Sequence, residues 1–462
     1  MHDQQQSSSQ AWWKELTPYH WFVFAMASAA WLFDCLDQQI FLLFRNSALE
    51  QLMPDGTDAT VIKKFGGYAT SIFVMGWATG GLIFGSLGDR FGRARMLTVT
   101  VLLYSLFTGL SALSVGWLDF AIYRFITGLG VGGVFGLAVA LVADTLPDKA
   151  RPGALGLLQA LSAVGNITAG LISMWMGGMI KAGSISPDHA WKIAFLIGAV
   201  PAFLCVFIQV RLKEPEKWVK ARAASATSGS ATKLGSYSSL LGMERWRRPA
   251  LLGMMLCISG VIGLWGIGFF APELVGDVIT ASLKEKGLAE QQVQAAATQW
   301  KGINSIVQNL GAFFGMMAFT ALAQKIGRKP AFAIGFIGAL ITTYGYFMFF
   351  NGVGHIWMSA VMGFFQLALF AGFAIYLPEL FPTQLRSTGT SFCYNVGRFI
   401  AASGPFTLGL LQQQLAKGAT NAAEKLVAFR SACQWMSLVF LLGLVALAFL
   451  PETKGRPLPE DA

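Results

Sequence analysis

Apolar runs long enough to cross a bilayer recur twelve times along this chain, and no other feature constrains its fold as strongly. They lie near residues 19–44, 66–88, 96–116, 118–144, 153–180 and 191–212, and again near 249–278, 298–323, 330–350, 354–378, 386–411 and 428–450. About 20 apolar residues suffice to cross ~30 Å of hydrocarbon at roughly 1.5 Å per residue. Charged residues are only 13% of the 462, roughly half the share of a soluble chain, which argues against a water-soluble multidomain fold. The expectation is an all-α integral membrane protein with twelve transmembrane helices in two pseudo-symmetric six-helix bundles. Residues 1–212 form the first bundle and 249–462 the second. Between them, 213–248 reads as a linker, because Ala221 to Ser230 is small and polar and is flanked by bases.

The net charge of +10 follows the topology. Arg90, Arg93 and Arg95 follow the second span, Lys325, Arg328 and Lys329 follow the eighth, and the linker adds further bases, whereas the loops of the opposite side are mixed or nearly uncharged. By the positive-inside rule both termini and the linker are cytoplasmic. No basic segment is interleaved with aromatics in a soluble module, so nucleic acid is not an expected partner. Met1 to Gln10 lacks the basic start and small-residue cleavage site of a secretory signal, so the first span is expected to be retained. The five cysteines lie in apolar runs and the four histidines lack ligand spacing. No metal, no cofactor and no enzymatic centre is expected.

The two halves repeat. Gly92-Arg93 recurs as Gly327-Arg328, and Asp144, Pro147 and Arg151 recur as Glu379, Pro382 and Arg386, all at one common offset. That all loops of one face are basic would not fix a common register. A substrate site near the midplane, between the two repeats, is the arrangement such duplication implies.

The segment Gly85-Ser86-Leu87-Gly88-Asp89-Arg90-Phe91-Gly92-Arg93-Ala94-Arg95 resembles the signature that major facilitator superfamily transporters carry between their second and third helices. Glu214-Pro215-Glu216-Lys217-Trp218 and Pro451-Glu452-Thr453-Lys454-Gly455 are similar to segments after the sixth and twelfth helices of the branch that holds sugar porters, metabolite and aromatic-acid proton symporters, sialic acid carriers and organic-ion carriers. In the second half Gln324 stands where Asp89 would repeat, which weakens any symmetric gate there. The resemblance implies a gate built from Gly85, Asp89, Arg90, Gly92, Arg93, Asp144 and Arg151, with Gly327, Arg328, Glu379 and Arg386 as its counterpart. Pairs that exist only while the inner side is closed bias an equilibrium between two open states. The alternative is that they are static loop anchors.

Ionisable residues inside a bilayer cost about 2.5–3.5 kcal/mol each at a helix centre, so those in the spans call for a reason. Asp34 and Asp37 are three apart in the first span, which places both carboxylates on one helix face; this resembles the paired-Asp segment of proton symporters, although Cys35-Leu36 replaces the usual pair between them. Two such acids suit reversible proton capture; the alternative is that Asp37 is solvated at the outer interface. Arg398 lies just over three helical turns beyond Arg386, which is near midplane. The run Tyr394-Asn395-Val396-Gly397-Arg398 is similar to a segment of organic-acid carriers, where the guanidinium holds a substrate carboxylate bidentately. An ion pair with an acid of the first span is the competing role. Arg124 matches the family's Arg-x-x-x-Gly-x-Gly pattern and is assigned to proton coupling or to packing.

Gly128-Leu129-Gly130-Val131-Gly132-Gly133 satisfies the dinucleotide-binding spacing, but it lies inside an apolar helix-length run, where small residues allow close helix packing. Trp265 and Tyr376, on expected cavity helices, join Arg398, Asn395 and Tyr394 as candidate substrate contacts.

Together these features imply a monomeric secondary transporter in a bacterial-type inner or plasma membrane, moving a small organic anion with protons by alternating access. A sugar porter or proton-independent facilitator is the runner-up, although Cys257 to Trp265 lacks the Gln/Asn set of true sugar porters. A membrane sensor or receptor is the alternative of another class.

Overall fold

The computed structural model describes residues 12–54, 56–57, 59–182, 184–201, 208, 211–227, 233–287, 290–401, 411, 414–415, 417 and 422–459. In hydrocarbon, a spanning segment has to satisfy its own backbone hydrogen bonds, and the described apolar runs are helical. In order these are α1 (Pro18–Leu52), α2 (Ala59–Phe91), α3 (Arg93–Ser111), α4 (Trp117–Thr145), α5 (Arg151–Lys181) and α6 (Pro187–Gly198). After α7 (Glu216–Thr227) and α8 (Tyr237–Gly242) come α9 (Glu244–Val261), α10 (Ala271–Glu285), α11 (Glu290–Ile326) and α12 (Arg328–Phe349). The chain continues through α13 (Trp357–Glu379), α14 (Arg386–Ala401), α15 (Ala422–Ser437) and α16 (Phe440–Phe449).

Among the described residues, nine helical stretches are long and apolar enough to cross a membrane. The other three of the expected twelve are α1, α6 and α14. α1 has the length, at 35 residues, but Asp34, Asp37, Gln38 and Gln39 dilute its apolar character. α6 and α14 run up to segments that lie outside the described residues. The expected flexible linker differs from the structure at Ala221 to Thr227, which continues α7; an acid at its start and alanines through its length favour helix over coil.

The surface is apolar and the polar groups are inside. Leu106, Leu113, Leu118, Phe314, Ile341, Trp435 and Phe449 are exposed, while Asp34, Asp37, Arg93, Arg124, Arg386 and Arg398 are buried. α4 and α13 are the most enclosed spans. α2 packs on α4 and α14, and α5 on α1 and α11, so the halves meet along two seams, α2/α14 and α5/α11.

Close helix approach repeats at the offset read from the sequence. A Cβ at Gly76 or Gly80 of α2 would strike the backbone carbonyls of Phe125 and Leu129 on α4. Their counterparts in the second half, Gly311 and Gly315 of α11, face the carbonyls of Ala360 and Phe364 on α13 in the same way. Gly128 belongs to this packing, its missing Cβ making room for the carbonyl of Phe73.

The seventh span is broken. A π-helical turn at Ile262–Ile267 and a 3-10 turn at Gly268–Phe270 separate α9 from α10. Glycines at 260, 263, 266 and 268 and Pro272 supply the physical cause, since Gly is a poor helix former and Pro has no N–H to donate.

Candidate functional site

Between the two seams lies a cavity of about 190 Å³. Its lining on α1 runs from Trp31 to Leu42, about 16 Å of helix at roughly 1.5 Å per residue, away from the end of the bundle that carries Arg93 and Arg328.

On the α2/α14 side Arg398 is 4% exposed and its guanidinium lies 3.7 Å from the ring centroid of Trp77 and 4.3 Å from that of Tyr394. These distances are within cation–π range. Arg398 Nη1 donates to Asn395 Oδ1 at 3.0 Å, and its Nε has no partner among the described residues. No described carboxylate lies within ion-pair distance of Arg398; Asp34 acts on it only through longer-range attraction. Trp77 meets Trp265 edge to face at 5.5 Å, and Trp265 and Tyr394 both line the cavity.

Two expected contacts sit elsewhere. Asn395 is buried against Gly81 of α2 and donates to Ser391 O, so it positions Arg398 and does not line the cavity. Tyr376 hydrogen-bonds Pro451 O at 2.5 Å and packs edge-on to Phe332. It lies one turn from Glu379, at the basic end of α13, too far along the helix to reach the cavity.

The opposite wall was not legible as a site in the sequence. Gln159, Ser162 and Asn166 of α5, and Ser305, Gln308 and Asn309 of α11, line it. Asn166 Nδ2 bridges to Asn309 Oδ1 at 3.2 Å. Spacings of three, four and seven in the first set, and of three and four from Ser305 in the second, put each set on one helical face, and that polar stripe in an apolar run was the available signal. Gln38 and Gln39 of α1 add further amides.

Asp34 and Asp37 are fully buried, which departs from the solvated-interface alternative, and on neighbouring positions of one helix they make different hydrogen bonds. Gln38 donates to Asp34 Oδ2 at 3.2 Å. Asp37 Oδ1 accepts from Thr108 Oγ1 at 2.7 Å, and its Oδ2 lies 4.0 Å from Arg124. Arg124 is held by Ser111 Oγ at 2.7 Å and lies over Phe195 at 4.9 Å. A hundred-degree turn per residue explains the divergence: three residues put the acids about 60° apart, enough for one to look toward the cavity arginine and the other into the α3/α4/α6 packing.

At the basic end, Asp89 Oδ1 pairs with Arg93 at 2.9 Å and Asp144 Oδ2 with Arg93 at 2.8 Å. Arg386, from the other half, pairs with Asp144 Oδ1. Arg93 also reaches Thr383 O. Arg328 and Glu379 form a fork with bonds of 3.1 and 2.7 Å, and Thr453 Oγ1 donates to the same carboxylate at 2.6 Å. The expected grouping is therefore rearranged. Arg386 joins the first-half cluster, Arg151 turns to Asp148, and exposed Arg90 stands apart. Gly85 permits contact of α2 with Ser391, and Gly92 and Gly327, at φ of +114° and +106°, begin α3 and α12. The carboxylates of Glu214 and Glu452 occupy the space their side chains would fill and accept from the first N–H groups of those helices. Phe135 of α4 stacks on Tyr394 of α14 at 3.9 Å.

A duplicated helical membrane fold around a central chamber lined by aromatics, amides and one arginine, with charge pairs joining its halves at one end, is the architecture of a transporter. Residues 46–289 match the Major Facilitator Superfamily profile, and residues 209–461 match that of Sugar (and other) transporter. The chain belongs to the major facilitator superfamily and is a multi-pass membrane transporter of a small molecule, not an enzyme. It is 29% identical to a putative metabolite transport protein of Haemophilus influenzae, over 85% of this chain and 88% of that one. It is 26% identical to a probable 4-methylmuconolactone transporter of Cupriavidus pinatubonensis, over 96% and 94%. The structure of the proton:xylose symporter XylE of E. coli bound to 6-bromo-6-deoxy-D-glucose superposes with a TM-score of 0.72 at 18% identity, covering 95% of this chain and 98% of that one.

Proposed function

We propose that this transporter carries a small organic carboxylate together with protons. The observation that carries the reading is Arg398: a buried, permanently charged guanidinium on the cavity wall with no described carboxylate in ion-pair contact. A charge placed there is costly unless something compensates it, and a substrate carboxylate does so with a fork geometry that Arg is built to meet. Asp34, one layer behind the wall and electrostatically linked to Arg398, carries the coupling proton, and Asp37 with Arg124 relays the protonation change into the first bundle. Names borne by relatives, which include a lactone transporter and a muconate transport protein, agree with an organic acid.

In this reading residues 1–212 and 249–462 rock as two bundles about the 213–248 connection, as a monomer, with the basic end in the cytoplasm. The Asp89, Arg93, Asp144 and Arg386 cluster is the inner gate in its closed state. Uptake into proteoliposomes of labelled carboxylates and hexoses, with and without an inward proton gradient, tests it. Gradient-stimulated carboxylate uptake is expected; hexose uptake with no carboxylate transport overturns it. A sugar porter is the second reading, favoured by the amide wall on α5 and α11.

A further inference from the structure

Resting on the reading of Arg398 as the carboxylate holder and Asp34 as the proton carrier, we infer that the protein has one coupling centre, confined to its first half. It carries one proton with each monocarboxylate, so that no net charge crosses the membrane.

The duplication supplies the first observation. In the first half, Asp37 accepts from Thr108 Oγ1 at 2.7 Å and lies 4.0 Å from Arg124, which Ser111 holds. At the common offset Asp37 corresponds to Pro272, Thr108 to Thr343, Ser111 to Tyr346 and Arg124 to Ser359, while Asp34 corresponds to Phe269. The structure again gathers the polar members of this set. Tyr346 of α12 donates to Asn304 Oδ1 of α11 at 3.1 Å, Ser359 of α13 donates to the same oxygen, and all three side chains are buried. Thr343 accepts from Gln366 at 2.8 Å. Acid and base are absent together, so the second half keeps the interhelical contact in a form that holds no exchangeable charge.

The second observation is the charge balance. Away from the basic end, the buried charged side chains among the described residues are Asp34, Asp37, Arg124 and Arg398. Asp37 and Arg124 face each other and neither lines the cavity. Protonating Asp37 would leave Arg124 enclosed without a counter-charge, so that pair keeps its charges. Arg398 and Asp34 remain, linked by longer-range attraction. Around Asp34, Gln38 and Cys35 on its own helix are neutral. α5, against which α1 chiefly packs, has its charged residues Arg151 and Lys181 at its two ends, and Lys192 of α6 lies over Trp191. With the cavity empty, ionised Asp34 therefore balances Arg398. A bound monocarboxylate takes over that role, and Asp34 then takes up one proton, because an enclosed charge without a partner is costly. The proton enters from the water on one side and leaves with the solute on the other. Loaded and empty chambers are both neutral.

The test uses the full-length protein in proteoliposomes with labelled benzoate, nicotinate and gluconate, and uptake by protein-free vesicles is subtracted. An inward proton gradient is combined with potassium diffusion potentials of about 100 mV of either sign, set by valinomycin. One net charge per cycle would change steady accumulation roughly fiftyfold at that potential. The expected result is accumulation that rises about tenfold per pH unit and changes less than twofold with either potential. Tyr346→Phe and Ser359→Ala should leave that dependence on the gradient as it is, and the wild-type result decides even if these variants fail to fold. Stimulation by an inside-negative potential would mean a second proton, and inhibition by it would mean none; either result, or an altered proton ratio in Ser359→Ala, overturns this inference and leaves the carboxylate reading standing. Absence of uptake of all three acids overturns both.

Discussion

Asp89, at the end of α2, caps a helix of the opposite half: its Oδ2 accepts the main-chain N–H of Thr388 at 2.8 Å and the Thr388 hydroxyl at 2.7 Å, and its Oδ1 accepts the N–H of Ser387 at 3.2 Å. An acid at a helix N-terminus is favourable through both hydrogen bonding and the helix dipole. Here the cap exists only while the two halves are together at the basic end. The second half has no equivalent. Gln324 replaces the acid, and Pro152, at the position corresponding to Ser387, has no N–H to offer.

Asp89→Ala is expected to weaken this closure. Loss of a cap is worth about 1 kcal/mol, so the closed population relative to the open one falls roughly fivefold. Distances between spin labels on the basic ends of α2 and α14 report it; an unchanged distribution would count against a gating role. Gln324→Asp alone should favour closure only weakly, because Gly153, at the position corresponding to Thr388, keeps its N–H but has no hydroxyl and Pro152 has no N–H, whereas Gln324→Asp combined with Pro152→Ser favours closure more.

Arg398→Lys keeps the charge and discards the planar fork and its stacking on Trp77 and Tyr394. Carboxylate affinity should drop by about tenfold or more in equilibrium binding. Equal affinity in the variant would remove the fork from the account of recognition.

For Asp34→Asn, uptake is expected to lose its dependence on a pH gradient while counterflow exchange of solute persists. Retention of full gradient-driven accumulation would assign the proton to another group. Asp37→Asn, in contrast, deprives Arg124 of its nearest acid within the helix packing, so a lowered Tm should accompany its effect on transport.

Glu452 gives a prediction in pH. Burial pushes its carboxyl up, but the N–H groups of Arg328, Lys329, Lys454 and Thr453 outweigh that and hold it below its ordinary value of 4.5. A carboxylate with a lowered folded value contributes stability that is present above its ordinary value and lost as pH falls through the lowered one. Thermal unfolding in detergent should therefore show wild type and Glu452→Gln converging as pH is taken below about 4 and separating above it. A constant difference across that window would deny the charged cap its role.

Gly80→Ala places a methyl against the carbonyl of Leu129, and Gly315→Ala does the same against Phe364. Overpacking of this kind costs about 1–3 kcal/mol, so both variants should melt several degrees below wild type. An unaltered Tm for either would mean the helices can separate there without loss.

The helical spans, the register of the duplication and the packing role of Gly128 were legible in the sequence because they depend on local chemistry. An apolar run of span length has few folds open to it in lipid, and a tight helix contact admits little besides Gly. Arg398 was equally legible, since a charge midway along a span needs a reason wherever it points. Its surroundings were not. That Asn395 turns to Gly81, that Tyr376 ends against Pro451, that Asp34 and Asp37 part toward different arginines, and that Arg386 crosses to Asp144 all depend on which helix lies beside which. The amides of α5 and α11 form a wall only once those helices meet. Sequence determined which residues had to be buried with a partner; the tertiary structure chose the partner, because hydrogen bonds and ion pairs act over about 3 Å while the groups that make them lie far apart along the chain.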